Sequence, residues 1–311
     1  MTVIQYLPDS EYDNIADLEP FKEVGCIVSD IDGTMTSGGN RLYAQIRKFI
    51  NAKNTKDIYF TVATGRTYNG AFNLLRQLNL RIGTIIALYN GAIILRYGTN
   101  NVVKTSYLSE PLIKELVPKI QKYNVNIYLY SFDTYQMDED TYEQSKDVKP
   151  SEKVYGISGC SMPDYDINNQ RIEWIDGNEI SGKKIVSLLI HISGISDEEI
   201  SDIENVCKEF KNIAVTSSGN GFIEIASSDS NKGNIIQYLK EELQGGNSTI
   251  FLVAGDNDND IELFKKADIR VAVSNASKEL LKYSDYICMH KAESGFIDLL
   301  RTLSNAKKYV R

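Results

Sequence analysis

Acidic residues cluster at two places in the chain, and each cluster directly follows an apolar run. The stretch "VGCIVSDIDGTMTSG" places Asp30 and Asp32 one residue apart, where the hydrophobic run ends. The stretch "STIFLVAGDNDND" ends in a second set of alternating aspartates, at positions 256, 258 and 260. Carboxylates placed this close repel each other, so both patterns indicate a site that holds a cation.

Alternating aspartates also occur in the calcium loop of an EF-hand, but the rest of that loop is missing. The loop requires Gly at its sixth position and Glu at its twelfth, where this sequence has Ile261 and Ala267. We therefore expect the two clusters to form one site between them. Since the candidate ligands are oxygens, without nearby His or Cys, the expected ion is Mg²⁺.

The first 92 residues alternate between buried strands and amphipathic helices. The runs "EVGCIVSD", "DIYFTVATGR" and "GTIIALYNGA" have the unbroken apolar character of strands in a parallel sheet. This order predicts parallel strands with right-handed crossovers, and such sheets bind ligands outside the carboxyl ends of their strands. Three strand ends therefore converge, and they carry Asp30 with Asp32, residues 64–66, and Asn90.

The middle of the chain has a different pattern. Two strand–helix–strand–strand units predict a small α+β domain with an antiparallel sheet over residues 93–227. The first pattern then returns. The predicted fold class is α/β: a three-layer, Rossmann-like core with a mostly parallel sheet, built from residues 1–92 and 228–311 and interrupted by the smaller α+β domain. Residues 1–20 and 141–180 have no clear period.

Composition narrows the partners. The chain has 311 residues, 42% of them hydrophobic, and a net charge of -8. This acidity argues against nucleic acid or an anionic membrane as a partner. No run is long enough to span a membrane, and the N-terminus lacks the apolar segment of a secretory signal, so we expect a cytoplasmic protein. Four scattered cysteines and two histidines do not form a metal-binding pattern.

A magnesium site at strand ends is typical of phosphate chemistry, which needs further groups that neutralise the phosphoryl oxygens. Lys232, in "SNKGN", begins a predicted helix and brings a cation beside its N-terminus. Thr64 offers a hydroxyl, and Gly65 lets the backbone approach a ligand closely. Arg66 either contacts the substrate or pairs with an acid. The chain has neither a Walker A pattern nor a GxSxG serine elbow.

Four motifs, "DIDGT", "ATGR", "NKGN" and "GDNDND", occur in this order and resemble those of the haloacid dehalogenase superfamily. The middle domain lies between the second and third motifs, and this placement is similar to the Cof-type phosphatases, which carry a large α/β cap. The resemblance extends over nearly the whole chain from about residue 21. It implies a Mg²⁺-dependent phosphatase of small phosphorylated metabolites, such as sugar phosphates, in which residues 93–227 form the cap that selects the substrate.

The resemblance also implies roles for single residues. Asp30 is the expected nucleophile that forms an aspartyl-phosphate, and Asp32 the expected general acid and then base. Mg²⁺ would be held by the Asp30 carboxylate, the Asp32 backbone carbonyl and Asp256, with Asp260 as support. The candidates for binding phosphate and substrate are Thr64, Gly65, Arg66, Asn90, Lys232 and Asn259. Thr64 and Lys232 are also counted as catalytic, since they would bind the transferred phosphoryl group.

Three alternatives stay open at this point. A phosphosugar mutase, or a narrowly specific sugar-phosphate phosphatase of the same branch, would carry the same motifs. The third alternative is a non-catalytic regulator that binds a phosphorylated metabolite; Asp30 and Asp32 count against it, since a pure binder does not need both. No pattern identifies the substrate or the oligomeric state.

Overall fold

The computed structural model describes residues 5–7, 18–39, 41–52, 55–133, 150–217, 221–243 and 249–308. Its first sheet, the core sheet, has six strands whose paired neighbours all run parallel. In spatial order they are β1 (Gln5–Tyr6), β15 (Tyr286–Ile287), β14 (Ile269–Ala272), β13 (Ile250–Gly255), β2 (Val24–Ser29) and β3 (Tyr59–Val62). Because the strands are parallel, their carboxyl ends lie along one edge of the sheet.

Helices cover both faces of the core sheet. They are α1 (Glu19–Lys22), α2 (Ala44–Ile50), α3 (Tyr68–Leu78), α6 (Asn234–Leu243), α7 (Ile261–Phe264), α8 (Lys278–Leu281) and α9 (Ala292–Lys308). Ile27 of β2 belongs to an apolar cluster that includes residues of α3 and α9. Its neighbour Val28 belongs to a second cluster, which includes Ile236 of α6. Successive residues thus pack against opposite layers, which explains the unbroken apolar runs and confirms the predicted three-layer core.

A short antiparallel sheet extends the core beside β3. It consists of β4 (Ile85–Leu88), β5 (Ile93–Arg96) and β6 (Val102–Thr105). The Thr64 amide donates a 3.0 Å hydrogen bond to the Ala87 carbonyl, so β4 runs parallel to the end of β3 before the chain reverses. The reversal uses left-handed backbone at Tyr89, Asn90 and Gly91, with φ of 49°, 53° and 85°. Tyr89 and Asn90 are not glycines, and left-handed backbone at such residues is uncommon and costs energy.

The second large sheet, here the cap sheet, has six strands that pair antiparallel except for its last two. In spatial order they are β11 (Ile213–Ser217), β12 (Phe222–Ser227), β10 (Ile185–His191), β7 (Ile127–Asp133), β8 (Ser151–Ile157) and β9 (Ile172–Trp174). Helices α4 (Glu110–Gln121) and α5 (Asp197–Lys208) pack on one face, where Leu188 and Ile223 are buried. Because side chains alternate along a strand, the opposite face of this sheet presents a different set of residues.

That opposite face is turned toward the carboxyl ends of the core strands. Tyr130 and Phe132 of β7 contact Tyr89, with ring centroids 6.3 Å and 6.1 Å apart. The exact division into residues 1–92 with 228–311 and residues 93–227 remains a prediction. In the part of the chain that the structure describes, no helix combines the length and the apolar character needed to cross a membrane.

Candidate active site

The structure brings the two acidic clusters together at the carboxyl edge of the core sheet. Asp30 directly follows β2, and Asp256 directly follows β13. Asp260 closes a 3₁₀ turn, Asp258–Asp260, just before α7. One carboxylate oxygen from each of Asp30, Asp256 and Asp260 lies within 4.8 Å of the others. Asp30 and Asp260 are only 4% and 0% exposed, so two of these acids have lost nearly all contact with water.

Lys232 lies between two of these acids and is 1% exposed. Its Nζ is 2.6 Å from Oδ1 of Asp30 and 2.7 Å from Oδ1 of Asp260. Burial alone would lower the pKa of Lys232, but the two carboxylates outweigh it and raise that pKa, so the side chain stays an ammonium. The expectation that Lys232 begins a helix is wrong in detail, because α6 starts at Asn234 and Lys232 lies in the preceding turn.

One lysine does not neutralise three acids. Burial raises the pKa of Asp30 to about 8, with Asp260 and Asp256 adding to the effect and Lys232 opposing it. Burial also raises the pKa of Asp256 to about 6, again with a contribution from Asp260. The site therefore carries more negative charge than its own residues compensate, and a cation would relieve this.

The donor set fits a hard divalent cation. All three side chains of the cluster offer oxygen, and no histidine or cysteine among the described residues belongs to it. Thr34 donates a 3.0 Å hydrogen bond to Oδ1 of Asp256 and fixes that carboxylate. A Cβ on Gly33, whose φ is 82°, would lie 2.2 Å from Oδ2 of the same residue, so the glycine is needed for the approach. Oxygen ligands at this charge density suit Mg²⁺.

Asp32 lies beside this cluster, and its side chain is 48% exposed. Arg66 holds both of its carboxylate oxygens, through Nε and Nη2, each at 2.6 Å. Arg66 also donates to the carbonyls of Gly39 and Gly70. Of the two roles left open for Arg66, the structure thus shows the pairing with an acid. Asp32 is held at the mouth of the site, apart from the three converging carboxylates.

The remaining predicted residues link the strand ends to one another. Thr64 is buried, and its Oγ1 accepts a 3.1 Å hydrogen bond from the Arg66 amide. Asn259 donates a 3.0 Å hydrogen bond to Oδ1 of Asn90. A Cβ on Gly65 would lie 3.0 Å from that same oxygen. All of these residues line one cavity of about 690 Å³, together with Asp30, Asp32 and Asp256.

The cap sheet closes this cavity from above and contributes a carboxylate that the sequence reasoning missed. Glu224 of β12 accepts hydrogen bonds from Ser187 Oγ (3.1 Å) and from Asn90 Nδ2 (3.4 Å). A signal for it existed, because Glu224 is the single charged residue in the apolar strand "FIEIAS". Thr34 was missed as well, although a hydroxyl that follows "DIDG" directly is a visible candidate for fixing an acid.

A second missed carboxylate, Glu152 of β8, fastens the cap sheet to the core. It accepts hydrogen bonds from the amides of Tyr68 (2.5 Å) and Asn69 (2.7 Å), at the N-terminus of α3. The hydroxyl of Tyr89 donates a third, at 2.7 Å. Burial raises the pKa of Glu152 to about 7, despite these three donors. Nothing in "SEKVYGI" distinguishes this residue from an exposed strand glutamate.

Comparisons with known proteins agree with this geometry. The model of the haloacid dehalogenase-like hydrolases matches residues 27–300. A Bacillus subtilis protein named 5-amino-6-(5-phospho-D-ribitylamino)uracil phosphatase YwtE is 26% identical over 285 residues, covering 88% of this chain and 97% of its own. A solved haloacid dehalogenase-like hydrolase from Bacteroides thetaiotaomicron superposes with a TM-score of 0.67 at 19% identity, covering 93% of this chain and 100% of its own. The solved structure of the subclass IIB sugar phosphatase BT4131 superposes with a TM-score of 0.64 at 19% identity, covering 92% of this chain and 99% of its own.

Proposed function

Because this chain belongs to the haloacid dehalogenase-like hydrolase family and resembles its Cof-type phosphatases, we propose that it hydrolyses small phosphorylated metabolites with the help of Mg²⁺. The substrates are sugar phosphates or related polyol phosphates, in keeping with the names of the similar proteins YwtE and BT4131. The observation that carries the proposal is the buried Asp30 carboxylate beside Lys232, at the floor of a cavity closed by the cap sheet.

The first half of the reaction uses Asp30 as the nucleophile. A carboxylate oxygen of Asp30 bonds to phosphorus, and the bond from phosphorus to the ester oxygen of the substrate breaks. Asp32 donates its proton to that leaving oxygen, so the metabolite departs as a neutral alcohol. Arg66 donates hydrogen bonds to both oxygens of Asp32 in the structure. This contact weakens when Asp32 carries the proton, because the carboxyl group then has no negative charge.

The second half reverses the proton transfer. Asp32 now accepts a proton from a water molecule, whose oxygen bonds to phosphorus as the bond to Asp30 breaks. Inorganic phosphate leaves, Asp30 is a free carboxylate again, and Asp32 has recovered its proton. Lys232, Thr64 and Asn259 bind the phosphoryl oxygens in both halves, while Gly65 and Asn90 shape the floor of the cavity.

The residues that would hold Mg²⁺ are the carboxylates of Asp30 and Asp256 and the backbone carbonyl of Asp32. Asp260 supports them, because its Oδ2 accepts hydrogen bonds from the amides of Asp256 (3.0 Å) and Asn257 (3.2 Å). When bound, the ion supplies positive charge that offsets the repulsion between the attacking carboxylate and the phosphate.

We expect phosphate release from p-nitrophenyl phosphate and from hexose monophosphates to require Mg²⁺, to stop with EDTA and to return when Mg²⁺ is restored. Mg²⁺ also raises the melting temperature of the wild type, because it binds the folded acidic cluster and not the unfolded chain. Replacing Asp256 by Asn weakens this effect, and about tenfold more Mg²⁺ is needed for the same shift. Replacing the exposed Asp258 by Asn is the matched control and leaves the shift unchanged.

Full phosphate release in EDTA, or an equal Mg²⁺ response in the Asp256→Asn variant, would contradict the proposal. The same assay addresses the alternatives. A mutase would move the phosphate to another hydroxyl of the sugar without releasing it. A non-catalytic regulator would bind the sugar phosphates and release no phosphate from any of them.

A further inference from the structure

The roof of the cavity is electrostatically different from its floor. The floor carries the groups that bind phosphate, whereas the roof is one face of the cap sheet and its flanking turns. Residues of the roof are Tyr130, Asn168, Ser187, Leu189, Thr216 and Glu224. Among the described residues that line the cavity, no lysine or arginine lies on this roof, and Glu224 is its one charged group. In the part of the roof that the structure describes, polar donors and acceptors are present, but no cationic side chain that could pair with an anion.

Glu224 stands at the centre of this roof. In the strand register it lies between Leu189 of β10 and Thr216 of β11. Each of its oxygens already accepts one hydrogen bond, from Ser187 and from Asn90. A carboxylate has about four acceptor sites, so each oxygen can still accept a hydroxyl from a ligand. Burial raises the pKa of Glu224, while those two hydrogen bonds and the charge of Lys232 oppose the rise.

Glu224 is also connected to the phosphate end of the cavity. Asn90 donates to Glu224 and accepts from Asn259, so three side chains join the cap sheet to the turn that carries Asp260. A phosphomonoester whose phosphate lies beside Asp30, Thr64 and Asn259, which line the cavity, would place the rest of the molecule beneath Glu224. The part of the substrate beyond the ester oxygen would then face this residue and its polar neighbours.

Resting on the proposed function, we infer that Glu224 selects the leaving group: the substrate carries one phosphate on an uncharged, hydroxyl-bearing body. Hydroxyls donate to the Glu224 carboxylate and exchange hydrogen bonds with Ser187, Thr216 and Asn168. A second phosphate or a carboxylate would lie against a partly desolvated like charge, with no lysine or arginine among the described roof residues to compensate it. Juxtaposed like charges at such a site are strongly unfavourable. Bisphosphates and phosphorylated sugar acids are thus poor substrates.

The test compares matched pairs that differ by one anionic group. The pairs are sorbitol 6-phosphate with 6-phosphogluconate, and fructose 6-phosphate with fructose 1,6-bisphosphate. For each compound, phosphate release and inhibition of p-nitrophenyl phosphate turnover are measured at slightly alkaline pH, which favours the ionised Glu224. We expect the wild type to release phosphate from the neutral-bodied member of each pair about 100-fold faster than from the anionic member. In the Glu224→Gln variant this preference shrinks about tenfold. The anionic member is hydrolysed faster because the like charge is gone, and the neutral member is hydrolysed more slowly because its hydrogen bonds to an amide are weaker than those to a carboxylate.

Glu173→Gln is the matched control. Glu173 is exposed on β9 of the same sheet and does not line the cavity. The Glu173→Gln variant should therefore keep the wild-type preference for the neutral-bodied substrate. Two results would overturn the inference: equal rates of phosphate release from both members of each pair in the wild type, or an equal loss of rate for both members in Glu224→Gln. If the wild type does not hydrolyse p-nitrophenyl phosphate at all, the proposed function itself is overturned, so the two failures are distinguishable.

Discussion

Replacing Asp30 by Asn lowers Mg²⁺-dependent turnover of p-nitrophenyl phosphate by about 10⁴-fold or more, the scale on which losing a nucleophile acts. An amide cannot attack phosphorus, and the other residues around it cannot take over. Asp30 is the carboxylate that meets the cavity at the end of β2, while Asp260 has both oxygens occupied by Lys232 and backbone amides. The initial rate of nitrophenolate release measures the effect.

The loss of activity in Asp30→Asn does not come from unfolding. Since burial raises the pKa of Asp30 to about 8, its charged form is costly in the absence of metal, and an amide of the same shape removes that cost. We expect the metal-free variant to melt no lower than the wild type. Asp258→Asn, at an exposed position of the same acidic turn, keeps its turnover. Turnover of Asp30→Asn within tenfold of the wild type would exclude Asp30 as the nucleophile.

Replacing Lys232 by Met destabilises the protein by about 3–5 kcal/mol and abolishes turnover, because it leaves two buried carboxylates without their shared cation. Asp30 and Asp260 lose ion pairs of 2.6 Å and 2.7 Å. Urea unfolding at neutral pH without Mg²⁺ measures the deficit. The deficit shrinks as the pH falls, because protonation of the abandoned carboxylates removes the charges that Lys232 had compensated.

Two further variants show whether this destabilisation comes from charge. Adding Asp260→Asn to Lys232→Met restores part of the stability, since one of the two uncompensated charges is gone, but it does not restore turnover. Lys211→Met removes an exposed lysine and leaves the unfolding free energy nearly unchanged. If Lys232→Met unfolds at the same urea concentration as the wild type, the buried ion pairs do not hold the site together.

The core and the floor of the site were predictable from the sequence because their signals are local and repeated. Unbroken apolar runs such as "VGCIVS" identify strands that are covered on both faces. Parallel strands deliver their ends to one edge, which is why Asp30 and Asp256 could be expected to meet. Lys232 was expected there too, although the structure places it in a turn and not in a helix.

The roof of the site and its contacts with the floor were not predictable, because they depend on packing between distant segments. Glu152 contacts the N-terminus of α3 across 83 and 84 residues of sequence. The pairing of Arg66 with Asp32 depends on how two strand ends approach each other. The left-handed backbone at Tyr89 contradicts the ordinary preference of an aromatic residue, so only the folded chain reveals the turn.

The central claim is that phosphate passes through a covalent bond to Asp30, and the Asp32→Asn variant tests it most directly. Nitrophenolate leaves without a proton from Asp32, but the second half of the reaction needs a base, so the phosphoenzyme accumulates. A rapid mix with p-nitrophenyl phosphate and Mg²⁺ should give a burst of one nitrophenolate per site. The peptide that contains residues 24–38 should then carry one phosphoryl group on Asp30. No burst and no label, or a phosphoryl group on another residue, would contradict the claim.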